Sequence, residues 1–148
     1  MAESNIDGFD KNVGIVFALL YEQFPLRVTI DETFVIPSDL EMAEGWEVRY
    51  QKNRKIYIST MDWLVQAGYV WTSGGDSMYG IFSDCVLSSK GLEVLKALPD
   101  SLSTKSIGAQ LQEATQEGLL NSVKTLTEKA LGLGASMGYS MATNLMNP

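Results

Sequence analysis

Val13, Val16, Phe17, Leu20 and Phe24 recur at helical spacing, with Asp10 placed to cap a helix over residues 11–24 and Pro25 placed to end it. The pattern then changes to alternation in Arg27-Val28-Thr29-Ile30, a short strand. Ser38-Asp39-Leu40-Glu41 has the form of a capping box, in which the Ser38 hydroxyl and the Glu41 carboxylate satisfy free N–H groups reciprocally. Gly45 suits the left-handed stop of the short helix that follows the box. Ile58, Met61, Leu64 and Val65 mark a further helix, ended at Gly68. Tyr69–Ser73 and Gly80–Leu87 read as two strands joined by Gly74-Gly75-Asp76-Ser77-Met78-Tyr79. Ser88 or Ser89 caps a helix bearing Leu92, Val94, Leu95 and Leu98, which Pro99 stops. From about Thr104 onward the pattern is helical, with Ile107, Leu111, Ala114, Leu119, Val123, Leu126 and Ala130 on one broad face. The expected class is therefore α+β, and there is no repeat of domain scale.

Length and composition narrow what such a chain can do. Its 148 residues fit one domain with an appendage, and 45% hydrophobic with 20% charged residues describes a soluble globular chain. The sequence contains no histidine, which excludes Ser-His-Asp and Cys-His catalysis and imidazole ligation of zinc. The single cysteine, Cys85, excludes an internal disulfide and a thiolate-cluster metal site. Glu3, Asp7 and Asp10 precede the first base, Lys11, the reverse of a secretory signal, so a cytoplasmic location is expected. The net charge of −7 is unevenly placed. Residues 1–50 hold 10 acids and 3 bases, whereas residues 51–100 hold 5 of each, which leaves the middle third open to an anionic partner.

The order helix, short strand, helix, helix, hairpin, helix is that of a winged helix. Thr60-Met-Asp-Trp-Leu-Val-Gln-Ala-Gly-Tyr-Val70 resembles the third helix and first wing strand of that superfamily. Val86-Leu-Ser-Ser-Lys-Gly-Leu-Glu-Val-Leu95 resembles the exit from the wing into the next helix in MarR- and PadR-type regulators. The resemblance covers about residues 10–100. It implies an N-terminal arm over residues 1–9, a winged-helix domain over 10–100 and a C-terminal helical extension over 101–148.

A winged helix that binds DNA places its third helix in the major groove and its wing on phosphates. Arg49, Lys52, Arg54 and Lys55 form the densest basic cluster and lie at or just before that helix, where phosphate contacts would serve. Ser59 and Gln66 could reach bases. Against this, Gly74–Gly80 contains one acid, Asp76, and no base, so the wing gains nothing from counterion release. Surface balancing of acids such as Glu44 or Glu47 is the competing account of the cluster.

No charge follows Lys129, and within that stretch Ala130, Gly134, Gly138 and Ala142 recur every fourth residue. On a helix they form a strip of minimal side chains that lets another helix approach closely. Glycine in a helix interior costs about 1 kcal/mol relative to alanine, a cost that close packing can recover. The strip is expected to pack on the chain's own core or to join subunits through residues 105–146, making a homo-oligomer or a protein complex. Membrane contact through residues 130–146 is a further reading, opposed by Ser136, Ser140, Thr143 and Asn144.

Other chemistry is absent from the sequence. Gly134-Ala-Ser-Met-Gly138 has the string of a nucleophile elbow but a helical context and no histidine base. There is no dinucleotide fingerprint, no phosphate loop and no calcium loop, so no cofactor is expected. Glu41, Glu44 and Glu47 read as a solvated face. Cys85 reads as a small core residue, and Trp46, Trp63 and Trp71 fit the core or the hairpin. The expectation is a non-enzymatic interaction or regulatory module, with a DNA-binding regulator as the alternative and a membrane-associated adaptor as the third reading.

Overall fold

The structure, a computed structural model, describes residues 3–36 and 44–146, with residues 76–77 and 138–146 described by their backbone only. The first helix, α1 (Asn5–Gln23), starts earlier than the apolar spacing suggests. Its cap is Ser4, whose side chain accepts from the Asp7 amide, and Asp10 lies inside the helix, 6% exposed. The cap expected at Asp10 is thus displaced by a full turn and more. Ile6 and Phe9 extend the helix N-terminally, which carries Asp10 into the helix interior, where its burial is unfavourable to the charged form. β1 (Val28–Ile30) follows, then a single 3₁₀ turn over Glu32–Phe34 capped by Asp31. The capping box at Ser38–Glu41 lies outside the described residues. Gly45 does adopt the left-handed conformation, with φ 78°, and there it introduces the next helix.

That helix, α2 (Trp46–Gln66), is one unbroken element of 21 residues, so the whole basic cluster sits within it. Tyr57, Thr60, Met61 and Leu64 form its buried side. Gly68, with φ 84°, turns the chain out of the helix into β2 (Val70–Trp71). β2, β3 (Gly74–Asp76) and β4 (Ile81–Leu87) share one small antiparallel sheet with β1, and β4 is its centre. The expected single strand over Tyr69–Ser73 is therefore interrupted. The Thr72 hydroxyl donates to the Ser83 carbonyl at 2.6 Å and accepts from the Gly74 amide, which takes the chain out of the ladder before β3 resumes it. On the other edge, Val28 faces Cys85 and Ile30 faces Phe82, so β4 uses one more residue than β1. The extra residue is a bulge, and Asp84 there has φ 52°. Gly75 has φ 125°, and a Cβ on it would lie 3.0 Å from the Ser83 amide nitrogen, so only glycine fits against β4.

Ser88 caps α3 (Ser89–Lys96), accepting from the Gly91 amide at 3.1 Å while donating to the Gly68 carbonyl at 2.5 Å. The helix expected from Thr104 onward is two helices, α4 (Ile107–Glu117) and α5 (Leu120–Met146), because Gly118 breaks the run with φ 70°. Leu119 consequently falls in the break and is exposed. Ile107, Leu111, Ala114, Val123, Leu126 and Ala130 join the same core as Val13, Phe17, Leu64, Val70 and Leu95. Two glycines set the spacing of this packing. A Cβ at Gly14 of α1 would meet Thr127 Oγ1 of α5 at 2.6 Å, and one at Gly108 of α4 would enter the Tyr21 ring. The fold is α+β, with five α-helices and one small antiparallel sheet among the described residues. Among those residues, no helix is long and apolar enough to cross a membrane.

Asp10 has an energetic consequence at the contact of α1 with α5. Burial raises its pKa above the usual carboxylate value, helped by Glu128 of α5 and Asp7 of α1 and opposed by Lys124. An acid whose folded pKa is raised favours folding when protonated and opposes it once pH climbs past its ordinary value. Asp10→Asn should therefore stabilise the protein at neutral pH by about 1 kcal/mol, or about 2–4 °C in melting temperature. The gain should shrink toward zero below pH 4, and melting curves at pH 3.5 and 7 measure both ends.

Candidate interaction surface

All six residues assigned above to nucleic acid lie on α2, and the fold divides them. Lys52, Lys55, Ser59 and Gln66 are exposed, and their separations of three, four and seven residues place them along one outward strip. Arg49 is also exposed, on the shoulder of that strip. Arg54 points the other way because it shares the helix side of Tyr50, Tyr57 and Met61. Its Nε pairs with Glu32 at 3.0 Å and its Nη2 donates to the Met78 carbonyl at 2.5 Å. The Tyr50 hydroxyl donates to the other Glu32 oxygen, and that bond raises the Tyr50 pKa. Three bases therefore face outward, while the fourth fastens the 3₁₀ turn and the hairpin to α2. Its partner is Glu32 rather than Glu44 or Glu47, both of which are exposed.

The hairpin itself carries no base between Val70 and Leu87. It shows solvent Trp71, Tyr79 and Ile81, the first two more than half exposed. Asp84 accepts from the Ser73 hydroxyl at 3.0 Å, while its backbone carbonyl accepts from Arg27 at 2.9 Å. Of the three tryptophans expected in the core or the hairpin, Trp71 lies in the hairpin strand β2, and none is a fully buried core residue. Trp46, Trp63 and Trp71 are 38%, 42% and 53% exposed. Trp63 nevertheless anchors one edge, with Phe9 against it edge-on at 5.1 Å and Tyr69 stacked at 5.9 Å.

At the C-terminal strip, Ala130 is fully buried and Gly134 faces Tyr69 of the same chain. The contact that Gly134 permits is with an aromatic ring, not with another helix. Tyr69 also packs on Phe17 at 5.7 Å and lies beneath Lys90, whose Nζ is 4.4 Å from the ring centre. Gly138 and Ala142 fall on the part of α5 described by backbone alone. The Gly134–Gly138 string lies within α5, so Ser136 has no strand-to-helix elbow around it. Cys85 is buried, and burial pushes its thiol pKa up, away from a reactive thiolate.

Glu32, Tyr50 and Tyr69 matter to this surface, and the sequence did not mark them. Glu32 stands 22 positions before Arg54 in a stretch without periodicity, so nothing local couples the two. Tyr69 carried a better signal, an aromatic directly after the glycine that ends a helix, but its contact with position 134 is purely tertiary. Compared with protein-family models, with curated proteins and with solved structures, the chain matches none of them.

Proposed function

We propose that this chain is a non-enzymatic winged-helix module that works by binding protein rather than DNA. The observation that carries the reading is the fate of Arg54. The arginine at the middle of the basic cluster is spent on Glu32 and on the Met78 carbonyl, and the hairpin that would serve as the wing presents Trp71, Tyr79 and Ile81 instead of bases. A wing of that composition gains no counterion release and offers apolar area suited to another protein surface. The absence of histidine from the chain supports a non-catalytic role. Ala130 and Gly134 packed on the chain's own core support the intramolecular reading of the small-residue strip over subunit contact.

The alternative remains a DNA-binding regulator, favoured by one observation, the alignment of Lys52, Lys55, Ser59 and Gln66 on a single outward strip of α2. Titration of mixed-sequence duplex DNA at low salt separates the two. The expected result is no complex at micromolar protein. A complex that weakens steeply as salt rises, and that is lost in Lys52→Glu/Lys55→Glu, would replace the protein-binding reading with the DNA-binding one.

A further inference from the structure

Between α2 and the hairpin lies a crevice of about 230 Å³. Asp62, Val65 and Gln66 of α2 form one wall, Gly74 and Gly75 of β3 another, and Phe82 of β4 a third. The three α2 residues are three and four positions apart, so they share the side of the helix that faces the hairpin. Phe82 is 5% exposed and Val65 is half-buried, and together they give the crevice an apolar lining. The two glycines leave the hairpin wall without side chains, and a Cβ at Gly74 would meet nothing within 4 Å. The crevice is smaller than the pockets of about 300–1,000 Å³ that take drug-sized molecules. One extended side chain suits it.

Charge selects the kind of side chain. Among the described residues, the half-buried Asp62 carboxylate has no ion pair and no hydrogen bond. The hairpin has no base to offer it, and Lys55, the next base along that side of α2, stands two turns away, about 10 Å along the axis. A carboxylate drawn partly out of water without a counterion favours a cation and repels phosphate. Gln66, one turn beyond Asp62 and exposed, adds a carboxamide oxygen at the rim. A guanidinium, with five donors in a planar fork, can pair with both carboxylate oxygens and still reach that carboxamide, whereas an ammonium is a point charge. Its apolar stem matches Val65 and Phe82. Trp71, one residue before the Thr72 that borders the crevice, is 53% exposed and offers apolar contact beside it, which fits a protein carrying the arginine better than a free small cation.

Building on the protein-binding reading, we infer that the crevice between α2 and the hairpin receives an arginine side chain of a protein partner, its guanidinium on Asp62 and Gln66 and its stem against Val65 and Phe82. The probe is a short Gly/Ser peptide with one central arginine, titrated into the full chain while the backbone amide signals are followed by NMR. Control peptides carry citrulline, the neutral isostere of arginine, or lysine at the same position. The arginine peptide should shift the signals of Asp62, Gln66, Gly74 and Gly75 in a saturable way and bind about tenfold more tightly than the citrulline peptide. Asp62→Asn, isosteric and without a partner to lose, should keep the melting temperature and abolish that preference. Gln66→Ala should weaken the arginine peptide severalfold. Equal binding of the arginine and citrulline peptides, tighter binding of the lysine peptide, or a preference unchanged in Asp62→Asn would each overturn the proposal. So would shifts of the same signals by inorganic phosphate, or tighter binding of free n-butylguanidinium than of the peptide, which would make the crevice a small-molecule site. Duplex DNA binding through Lys52 and Lys55 sinks the broader reading. Loss of the arginine preference without any DNA binding sinks only this placement of the partner.

Discussion

Tyr57→Ala should cost the protein about 3–5 kcal/mol, the range for truncating a large buried aromatic, and should leave the hairpin poorly attached to α2. Tyr57 is the largest of the fully buried side chains, and Phe82 of β4 meets its ring edge-on at 6.1 Å. Its hydroxyl donates to the Gly80 carbonyl at 2.9 Å, at the point where the hairpin turns back into β4. Burial drives the hydroxyl pKa well above the usual tyrosine range, which favours the neutral, donating form. Two contributions can be separated. Tyr57→Phe retains the ring and strands the Gly80 carbonyl, and should cost about 1–3 kcal/mol. The remainder of the alanine effect belongs to the ring. Chemical denaturation of both variants measures the split, and equal losses would assign all of it to the hydroxyl.

Gly134→Leu should destabilise the protein by about 1–3 kcal/mol despite the better helix propensity of leucine. A Cβ at position 134 overlaps the Tyr69 hydroxyl and lies 2.7 Å from the ring carbon that carries it. Tyr69 cannot retreat, because Phe17, Trp63 and Lys90 enclose its ring. The strain must therefore move α5. Tyr69→Phe removes the overlapping oxygen, so Gly134→Ala should be better tolerated in that background than alone. A double-mutant cycle on melting temperature detects the coupling. A rise in stability in the Gly134→Leu variant would show that α5 does not rest on Tyr69.

The elements that were legible in the sequence are those whose signal is local. Val13, Val16, Phe17 and Leu20 announced α1, Gly68 announced the exit from α2, and Ser88 announced α3, each through spacing or a cap that a few residues define. What misled was also local. Asp10 looks like a cap because acids favour helix starts, but Ser4 stands in the same relation to the helix six residues earlier. The break at Gly118 was hidden because α4 and α5 bury the same side and keep one apolar period across the junction. On the candidate surface, the run Arg49, Lys52, Arg54 and Lys55 was visible as composition. Its division into outward and inward bases required the register of α2 against Glu32, which depends on the whole sheet being in place. The small-residue strip was likewise visible, but its partner at Gly134 was a ring 65 positions earlier.

That pairing of Tyr69 with Gly134 also fixes an order of events during synthesis. The ring sits where α1, α2, α3 and α5 meet, and its last wall is supplied by α5, 65 positions after it. While residues 1–100 emerge from the ribosome, the hairpin and the first three helices hold an open seam along Tyr69, Val13 and Phe17. Contacts this distant in sequence close slowly, and an exposed seam of apolar side chains is where a nascent chain meets chaperones or other copies of itself. Truncations before α5 should accordingly accumulate as chaperone-bound or aggregated chains rather than as a smaller folded domain.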